Sequence, residues 1–138
     1  MPYNGYSNVN KGGYSMALEG TKLQDFEPRG AVSQLEIIDT VEGTGDAVPV
    51  GATITAHYTG ALVADGTIFQ SSKDFGNPIT FGLNQVIKGW TDGVPGMKVG
   101  GTRRLVIPAA QAYAASSPAS NIPANSDLVF DIELTAIS

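Results

Sequence analysis

The side chains that most often carry covalent or metal chemistry are scarce in this sequence. Cysteine is absent, and His57 is the single histidine. Disulfides, thiolate metal sites and clusters of several histidines are therefore excluded. His57 also falls on the polar side of a predicted strand, opposite Tyr58, where a lone histidine is more often structural than catalytic. We expect a site that uses no metal and no cofactor.

Aromatic residues are the remaining means of building a site, and Trp90 is the single tryptophan. Within Gln85–Met97, the residues Ile87, Trp90 and Val94 recur at the spacing of one helix face. Asn84 is the predicted N-cap, and the glycines and proline from position 93 onward limit the helix to about three turns. A helix this short is marginal in water, so its apolar face must pack against other elements. The pattern alone favours Trp90 as a buried core residue.

Short apolar or alternating runs predict strands on both sides of this helix. They are Leu35–Val41, Thr53–Tyr58 with Gly60 closing the run, Ile68–Phe69, Ile79–Phe81, Thr102–Ile107 and Leu128–Thr135. Residues 71–78 and 109–125 are predicted loops. No strand–helix–strand alternation is visible, so the sheet is predicted to be antiparallel with the helix on one face. The predicted class is α+β, with five or six strands and one short helix.

The alternation in the strands also predicts which side chains face the core. The inward aromatic residues are Tyr58, Phe69, Phe81, Trp90 and Phe130. In the last strand, one face carries Leu128, Phe130, Ile132 and Leu134, and the predicted outer face carries Val129, Asp131, Glu133 and Thr135.

Length and charge restrict the class of protein. A chain of 138 residues is long enough for one domain with its own core. The net charge of −5, with no basic cluster larger than Arg103-Arg104, does not favour nucleic acid as a partner. Residues 1–32 contain no apolar run long enough for a signal sequence or a membrane span. The sequence as written predicts a cytoplasmic protein, or an extracytoplasmic one if a targeting segment has been removed.

The composition changes near residue 32. Residues 1–15 are rich in Gly, Asn, Ser and Tyr and show no periodicity, which is typical of a flexible segment. We therefore predict a flexible N-terminal tail or extension over residues 1–32 and a folded domain over residues 33–138. We expect a monomer.

Several blocks of the folded part resemble the FK506-binding-protein (FKBP) family of peptidyl-prolyl isomerases in order and spacing, from about Gln34 to Ile137. These blocks are His57-Tyr58-Thr59-Gly60, Asp65-Gly66-Thr67-Ile68-Phe69-Gln70-Ser71-Ser72, Gln85-Val86-Ile87-Lys88-Gly89-Trp90, Gly93-Val94-Pro95-Gly96-Met97-Lys98-Val99-Gly100 and Leu128-Val129-Phe130-Asp131-Ile132-Glu133-Leu134. The stretch from Phe81 to Ile87 is most similar to bacterial members related to macrophage infectivity potentiators.

The resemblance implies a twisted half-barrel around the helix, with a hydrophobic pocket floored by Trp90. The implied catalytic residues are Tyr58, Phe69, Trp90, Tyr113 and Phe130, and the implied substrate-binding residues are Gln70, Ile79, Val86, Ile87 and Ile122. In the family, the backbone N–H at the position of Ile87 and the hydroxyl at the position of Tyr113 donate hydrogen bonds to ligand carbonyls. The implied partners are proline-containing polypeptides and macrolides of the FK506 or rapamycin type.

The sequence departs from the family pattern around the pocket. Gln70 stands where most members carry an aspartate, and Phe75 falls where that aspartate's arginine partner would be. Ile79 replaces a frequent aromatic residue, Gln111 replaces a common aromatic or leucine, and Ala114 replaces the glycine that usually follows the tyrosine. These changes are expected to alter affinity and peptide preference.

Three functions fit the residue types. The first is a prolyl isomerase, which needs no nucleophile, metal or acid–base pair because rotation about an X-Pro bond breaks no covalent bond. The second is a non-catalytic proline-peptide binding or chaperone module that uses the same pocket. The third is a β-rich structural domain in which every aromatic residue is core.

Overall fold

The computed structural model describes residues 17–138. Its strands are β1 (Glu36–Val41), β2 (Thr53–Leu62), β3 (Ile68–Ser71), β4 (Ile79–Gly82), β5 (Thr102–Ile107) and β6 (Leu128–Ile137), and its α-helix is α1 (Lys88–Gly93). Short 3-10 turns occupy Ser72–Asp74 and Ala109–Gln111. The predicted α+β class is confirmed. In the described part of the chain, no helix is long and apolar enough to cross a membrane.

The six strands form one antiparallel sheet that is organised around β2. The order is β1-β5-β6-β2-β3, and β4 pairs with the first half of β2 on the side where β3 pairs with the second half. β2 pairs with β6 along most of its length, from Ile54 to Leu62. The prediction that Gly60 ends this strand is wrong, because Gly60 is itself paired with both Gln70 and Phe130.

The helix α1 begins later than the periodicity predicted. Ile87 is its N-cap residue, and no side chain caps it, so the predicted Asn84 cap is wrong. The chain first makes a turn in which the Gln85 N–H donates to the Gly82 carbonyl. At the other end, the Arg103 guanidinium donates to the Gly93 carbonyl at 2.9 Å, which supplies a cation and a donor to the C-terminal end of the helix.

Two glycines allow α1 to lie directly on strand β5. A Cβ atom at Gly89 would come within 2.6 Å of Ile107, and one at Gly93 within 2.8 Å of Leu105. The glycines are four residues apart and therefore share one helix face. This close approach places Trp90 in the middle of the main core.

The main core lies between α1 and the concave face of the sheet. It contains the predicted inward positions of β2 and β6, among them Ile54, Tyr58, Phe130 and Ile132, together with Phe69 and Trp90. The predicted outer face of β6 is wrong in part, since Val129 is fully buried and Asp131 is buried as well. Val129 belongs to a second apolar cluster on the opposite face of the sheet.

The second cluster is made by residues 17–32, which we call the N-terminal strap. Leu18, Leu23 and Val32 are buried there against Val106 and Val129 of the sheet. The strap also pairs with the edge of β3, where the Gly20 N–H donates to the Ile68 carbonyl at 2.8 Å. Residues 17–32 are thus packed on the sheet, whereas residues 1–16 lie outside the described residues, so the flexible tail or extension predicted over residues 1–32 stays a prediction. The boundary at residue 32 stays a prediction.

A buried ion pair lies beneath the strap. Arg104 and Asp131 make a two-pronged contact at 2.7 and 2.8 Å, and both side chains are nearly inaccessible. The same guanidinium donates to the Gln24 and Asp25 carbonyls and lies 5.7 Å from the centre of the Phe26 ring. The strap therefore supplies two of the hydrogen-bond acceptors of this buried charge.

Candidate active site

A cavity of about 520 Å³ opens above the N-terminal end of α1. This volume lies in the range of small-ligand sites. Ten residues line it: Tyr58, Phe69, Gln70, Phe81, Gln85, Val86, Ile87, Trp90, Tyr113 and Phe130. None of these side chains carries a formal charge at neutral pH, although the chain as a whole has a net charge of −5. Among residues 17–138, no group of His, Asp and Glu side chains is placed to hold a metal ion.

The floor of the cavity is the indole of Trp90, which is 3% exposed. Its ring meets Phe81, Phe130 and Tyr58 in edge-to-face contacts with centroid distances of 5.0, 5.4 and 5.8 Å. Such contacts fix ring orientation and add to the stability gained from burial alone. The Trp90 Nε1 is buried and has no hydrogen-bond partner within residues 17–138. The floor is thus a rigid apolar plate.

One wall of the cavity depends on the absence of a side chain at Gly60. The Phe69 and Phe130 rings lie edge to face at 5.7 Å, and a Cβ at Gly60 would come within 2.6 Å of both. A glycine is needed here because both rings approach the backbone of β2 too closely to leave room for a Cβ. The ring of Phe69 is held at the cavity edge in this way.

Tyr58 and Gln70 form a neutral polar pair in the wall. The Tyr58 hydroxyl donates to the Gln70 Oε1 at 2.5 Å. Burial raises the pKa of the Tyr58 hydroxyl, and the nearby Tyr113 adds to the increase. Tyr58 therefore remains a protonated donor at neutral pH, and its acceptor is an amide that does not titrate.

Two further donors lie at the cavity and have no acceptor within the described part of the chain. Ile87 has an extended backbone, and its carbonyl receives the Trp90 N–H at 3.0 Å, while its own N–H donates to no described residue. Tyr113 lies on the long segment between β5 and β6 and is 36% exposed. Both groups are free to donate to a bound carbonyl.

We call residues 109–125 the Tyr113 loop. The Asn125 N–H at its C-terminal end donates to the Ala114 carbonyl at 2.6 Å, and Ile122 anchors the loop in the main core at 6% exposure. Ala114 has φ +50°, a left-handed conformation that is costly for a residue with a Cβ. The loop thus has a defined shape, in contrast to an unstructured surface loop.

His57 lies outside the cavity. Its Nδ1 is 2.8 Å from the Ser72 Oγ, and its pKa is lowered by burial and by the charge of Lys73. The Ser72 Oγ also accepts the Tyr58 N–H at 2.8 Å. This network joins β2 to the 3-10 turn after β3.

The structure brings eight of the ten sequence-predicted site residues together around the cavity. The other two lie behind it, with Ile122 buried in the core beneath the loop and Ile79 packed against the core from β4. Sequence reasoning did not assign Phe81 and Gln85 to the site. Phe81 could have been found, because it is two residues beyond Ile79 on the same face of β4 and was already predicted to face the core. Gln85 lies in the turn before α1, and no sequence pattern indicated that turn.

An open antiparallel sheet wrapped around one short helix, with an uncharged aromatic cavity of ligand size, defines the class of α+β domain to which the chain belongs. The chain belongs to the FKBP-type peptidyl-prolyl cis-trans isomerase family, whose model matches residues 45–135. Its activity is that of the family, the cis–trans isomerisation of peptidyl-prolyl bonds. The resemblance predicted from the sequence motifs is confirmed.

Curated relatives come from both eukaryotes and bacteria. The chain is 44% identical over 126 residues to the peptidyl-prolyl cis-trans isomerase FPR2 of Saccharomyces cerevisiae, covering 90% of this chain and 89% of that protein. It is also 44% identical over 108 residues to an FK506-binding protein of Neisseria meningitidis serogroup A, covering 77% and 98%. Among solved structures, a peptidyl-prolyl cis-trans isomerase of Pseudomonas syringae shares 38% identity and a TM-score of 0.68 over 75% of each chain.

Proposed function

We propose that the cavity floored by Trp90 is the site where this chain rotates X-Pro bonds of proline-containing polypeptides. The observation that carries the proposal is the combination of an uncharged aromatic cavity with two donors, the Ile87 N–H and the Tyr113 hydroxyl, that lack acceptors among the described residues. The pyrrolidine ring would lie on Trp90 between Tyr58, Phe69 and Phe130. A monomer is the proposed working unit.

The chemistry of X-Pro rotation fits this environment. Amide resonance opposes the rotation with a barrier of roughly 18–20 kcal/mol, and the planar amide is more polar than the twisted one. Removing water from the amide in an apolar cavity therefore disfavours the starting state relative to the twisted transition state. A reduction of about 5–8 kcal/mol in the barrier would accelerate the rotation on the order of 10⁴ to 10⁶-fold.

The proposed donors would act on the peptide carbonyls. The Ile87 N–H is part of the extended residue that starts α1, so its direction is fixed by the helix. It would hold the ligand backbone beside Val86. The Tyr113 hydroxyl would reach a second carbonyl from the loop above the cavity. A preformed donor that matches the twisted carbonyl better than the planar one lowers the barrier, because it costs no reorganisation during the reaction.

Gln70 is proposed to shape peptide preference while preserving the position of Tyr58. The sequence left open a non-catalytic binding or chaperone module because the usual carboxylate is missing. In place of that carboxylate, the Gln70 amide oxygen accepts the hydrogen bond from the Tyr58 hydroxyl. This supports the isomerase over the non-catalytic binding module. The cavity volume and the names of the FK506-binding relatives support binding of FK506-type macrolides at the same site.

The proposed site is tested by measuring turnover and binding together. A series of short X-Pro peptides and a matched X-Ala peptide would be titrated while Trp90 fluorescence and cis–trans exchange are recorded. We expect the X-Pro peptides to change the Trp90 signal and to be isomerised, and an FK506-type macrolide to inhibit both. Binding with no acceleration would support the binding module, and a Trp90 signal unchanged by any ligand would refute the site.

A further inference from the structure

The Tyr113 loop must be held in place over the cavity if its hydroxyl is to act as a donor. Within residues 112–126, most of the described hydrogen bonds stay inside the loop, such as those from the Ser116, Ile122 and Asn125 N–H groups. Hydrogen bonds from this stretch to described residues outside 109–126 are supplied by one side chain, that of Asn121. A misplacement of about 1 Å at a positioned group can cost about 100-fold in rate, so this attachment matters for function.

The acceptor of Asn121 is part of the cavity wall. Its Nδ2 donates to the Phe69 carbonyl at 2.9 Å, across 52 residues of sequence. The β2–β3 register is irregular between Gly60 and Ala61, and Phe69 has no partner on β2. This irregularity leaves the Phe69 carbonyl for the loop, in the way that a bulge frees backbone groups from a strand ladder.

The same amide group also reaches the N-terminal strap. The Asn121 Nδ2 lies 3.4 Å from the Glu19 Oε2, and the Leu18 and Glu19 N–H groups donate to the Asp74 carboxylate at 2.7 and 3.1 Å. Both neighbours of the Asn121 amide are oxygens that can only accept. The amide orientation with its NH₂ toward them is therefore fixed by the chemistry of its partners.

We propose that Asn121 is a positioning residue that fixes the Tyr113 loop on the cavity wall through Phe69, with the strap as a second point of attachment. The proposal rests on the proposed function of the cavity. Asn121 does not line the cavity, so it acts through the placement of Tyr113 and not by touching the peptide. The sequence does not indicate that Asn121 contacts Phe69 or the strap, because it lies in a stretch rich in Ser, Ala and Pro.

The test uses the full chain with Asn121→Asp, which replaces the donor by an acceptor, and Asn121→Leu, which removes the donor without adding charge. Ser126→Ala is the matched control, because the Ser126 hydroxyl bonds only locally, to the Pro123 carbonyl. We expect both Asn121 variants to lower kcat/KM on an X-Pro peptide about tenfold. Amide hydrogen exchange at Ala114, Ser116 and Ile122 should become about tenfold faster, with the β6 amides unchanged.

A double-mutant cycle separates positioning from general stability. Tyr113→Phe should reduce kcat/KM less in the Asn121→Leu background than in the wild type, because the hydroxyl is already misplaced there. Additive effects, unchanged exchange in the loop, or loss in Asn121→Asp but not in Asn121→Leu would each overturn the proposal. A wild-type chain without turnover would instead refute the proposed function. The cycle would then be measured on peptide affinity by Trp90 fluorescence, with the same outcomes deciding the role of Asn121.

Discussion

The hydroxyl of Tyr58 donates a hydrogen bond of 2.5 Å to the amide oxygen of Gln70. The position that most family members give to a carboxylate is therefore occupied by a group with the same accepting atom and no charge. The pair fixes one wall of the cavity, and its protonation state does not change near neutral pH because burial raises the pKa of Tyr58.

Gln70→Leu should destabilise the cavity wall. The partly buried Tyr58 hydroxyl would lose its acceptor, which we expect to cost about 1–3 kcal/mol in the free energy of unfolding. Tyr58→Phe alone removes the donor and should cost about 1 kcal/mol. Urea unfolding of both single variants and the double variant measures the coupling. If the double variant loses the full sum of the two single effects, the hydrogen bond does not contribute to stability.

His57 predicts a pH dependence of stability that is separate from activity. Its pKa is lowered in the folded state, chiefly by burial and then by the charge of Lys73. The unfolded chain therefore binds the proton more readily, and the free energy of unfolding should fall as the pH drops from about 6.5 through the lower folded pKa. Denaturant titrations from pH 8 to 5 would measure this.

The matched control for that titration is His57→Gln, which keeps a polar group beside Ser72 and does not titrate. Its unfolding free energy should be flat over the same pH range. The lowered pKa values of Glu36 and Asp65 affect stability only as the pH falls below about 4.5, so they do not overlap with the histidine. A decline of equal size in His57→Gln would assign the pH dependence to other groups.

Ala114 holds a left-handed backbone conformation, φ +50°, directly after Tyr113. The conformation costs a residue with a Cβ about 1–2 kcal/mol, and glycine adopts it without this strain. Glycine costs about 0.4–1 kcal/mol in another way, because it raises the conformational entropy of the unfolded chain. Ala114→Gly should therefore raise the free energy of unfolding, by about 1 kcal/mol or less. Ala115→Gly, at an exposed position without positive φ, should lower it. Equal effects at the two positions would argue against strain at Ala114.

The N-terminal strap should contribute to the stability of the whole chain. Leu23 is 5% exposed and packs in the second cluster, so Leu23→Ala should cost about 2–4 kcal/mol. Val50→Ala is the control, since Val50 is 84% exposed and should change stability by less than about 0.5 kcal/mol. Thermal unfolding compares them. A silent Leu23→Ala would mean that residues 33–138 fold independently of the strap.

The parts of the fold that sequence could predict are those with a local signal. The alternation in β2 and β6 and the spacing around Trp90 fixed the faces that carry Tyr58, Phe130 and the indole. The strap gave no such signal, because Leu18, Leu23 and Val32 are isolated apolar residues without a period. For the same reason Val129 was assigned to an outer face that proves to be covered. Its environment is set by residues about a hundred positions away.

The site residues also divide into those with a signal in the sequence and those without one. Phe69, Trp90 and Phe130 belong to the motifs that carry the family resemblance, and Tyr113 was assigned by its position relative to them. The cavity brings all four together. The predicted Asn84 cap failed because a turn involving Gly82 and Gln85 competes with helix initiation. The bond between Asn121 and Phe69 could not be predicted, since it depends on a register irregularity in β3 that appears only once the strands are paired.

The cavity above Trp90 is proposed to rotate X-Pro bonds by non-covalent means. The direct measurement is the cis–trans exchange rate of an X-Pro peptide, followed by NMR, with the wild-type chain and with Tyr113→Phe and Trp90→Ala at equal concentrations of folded protein. We expect strong acceleration by the wild type, about a tenfold loss of kcat/KM in Tyr113→Phe for one hydrogen bond, and a larger loss in Trp90→Ala. Equal acceleration by all three folded proteins would contradict it.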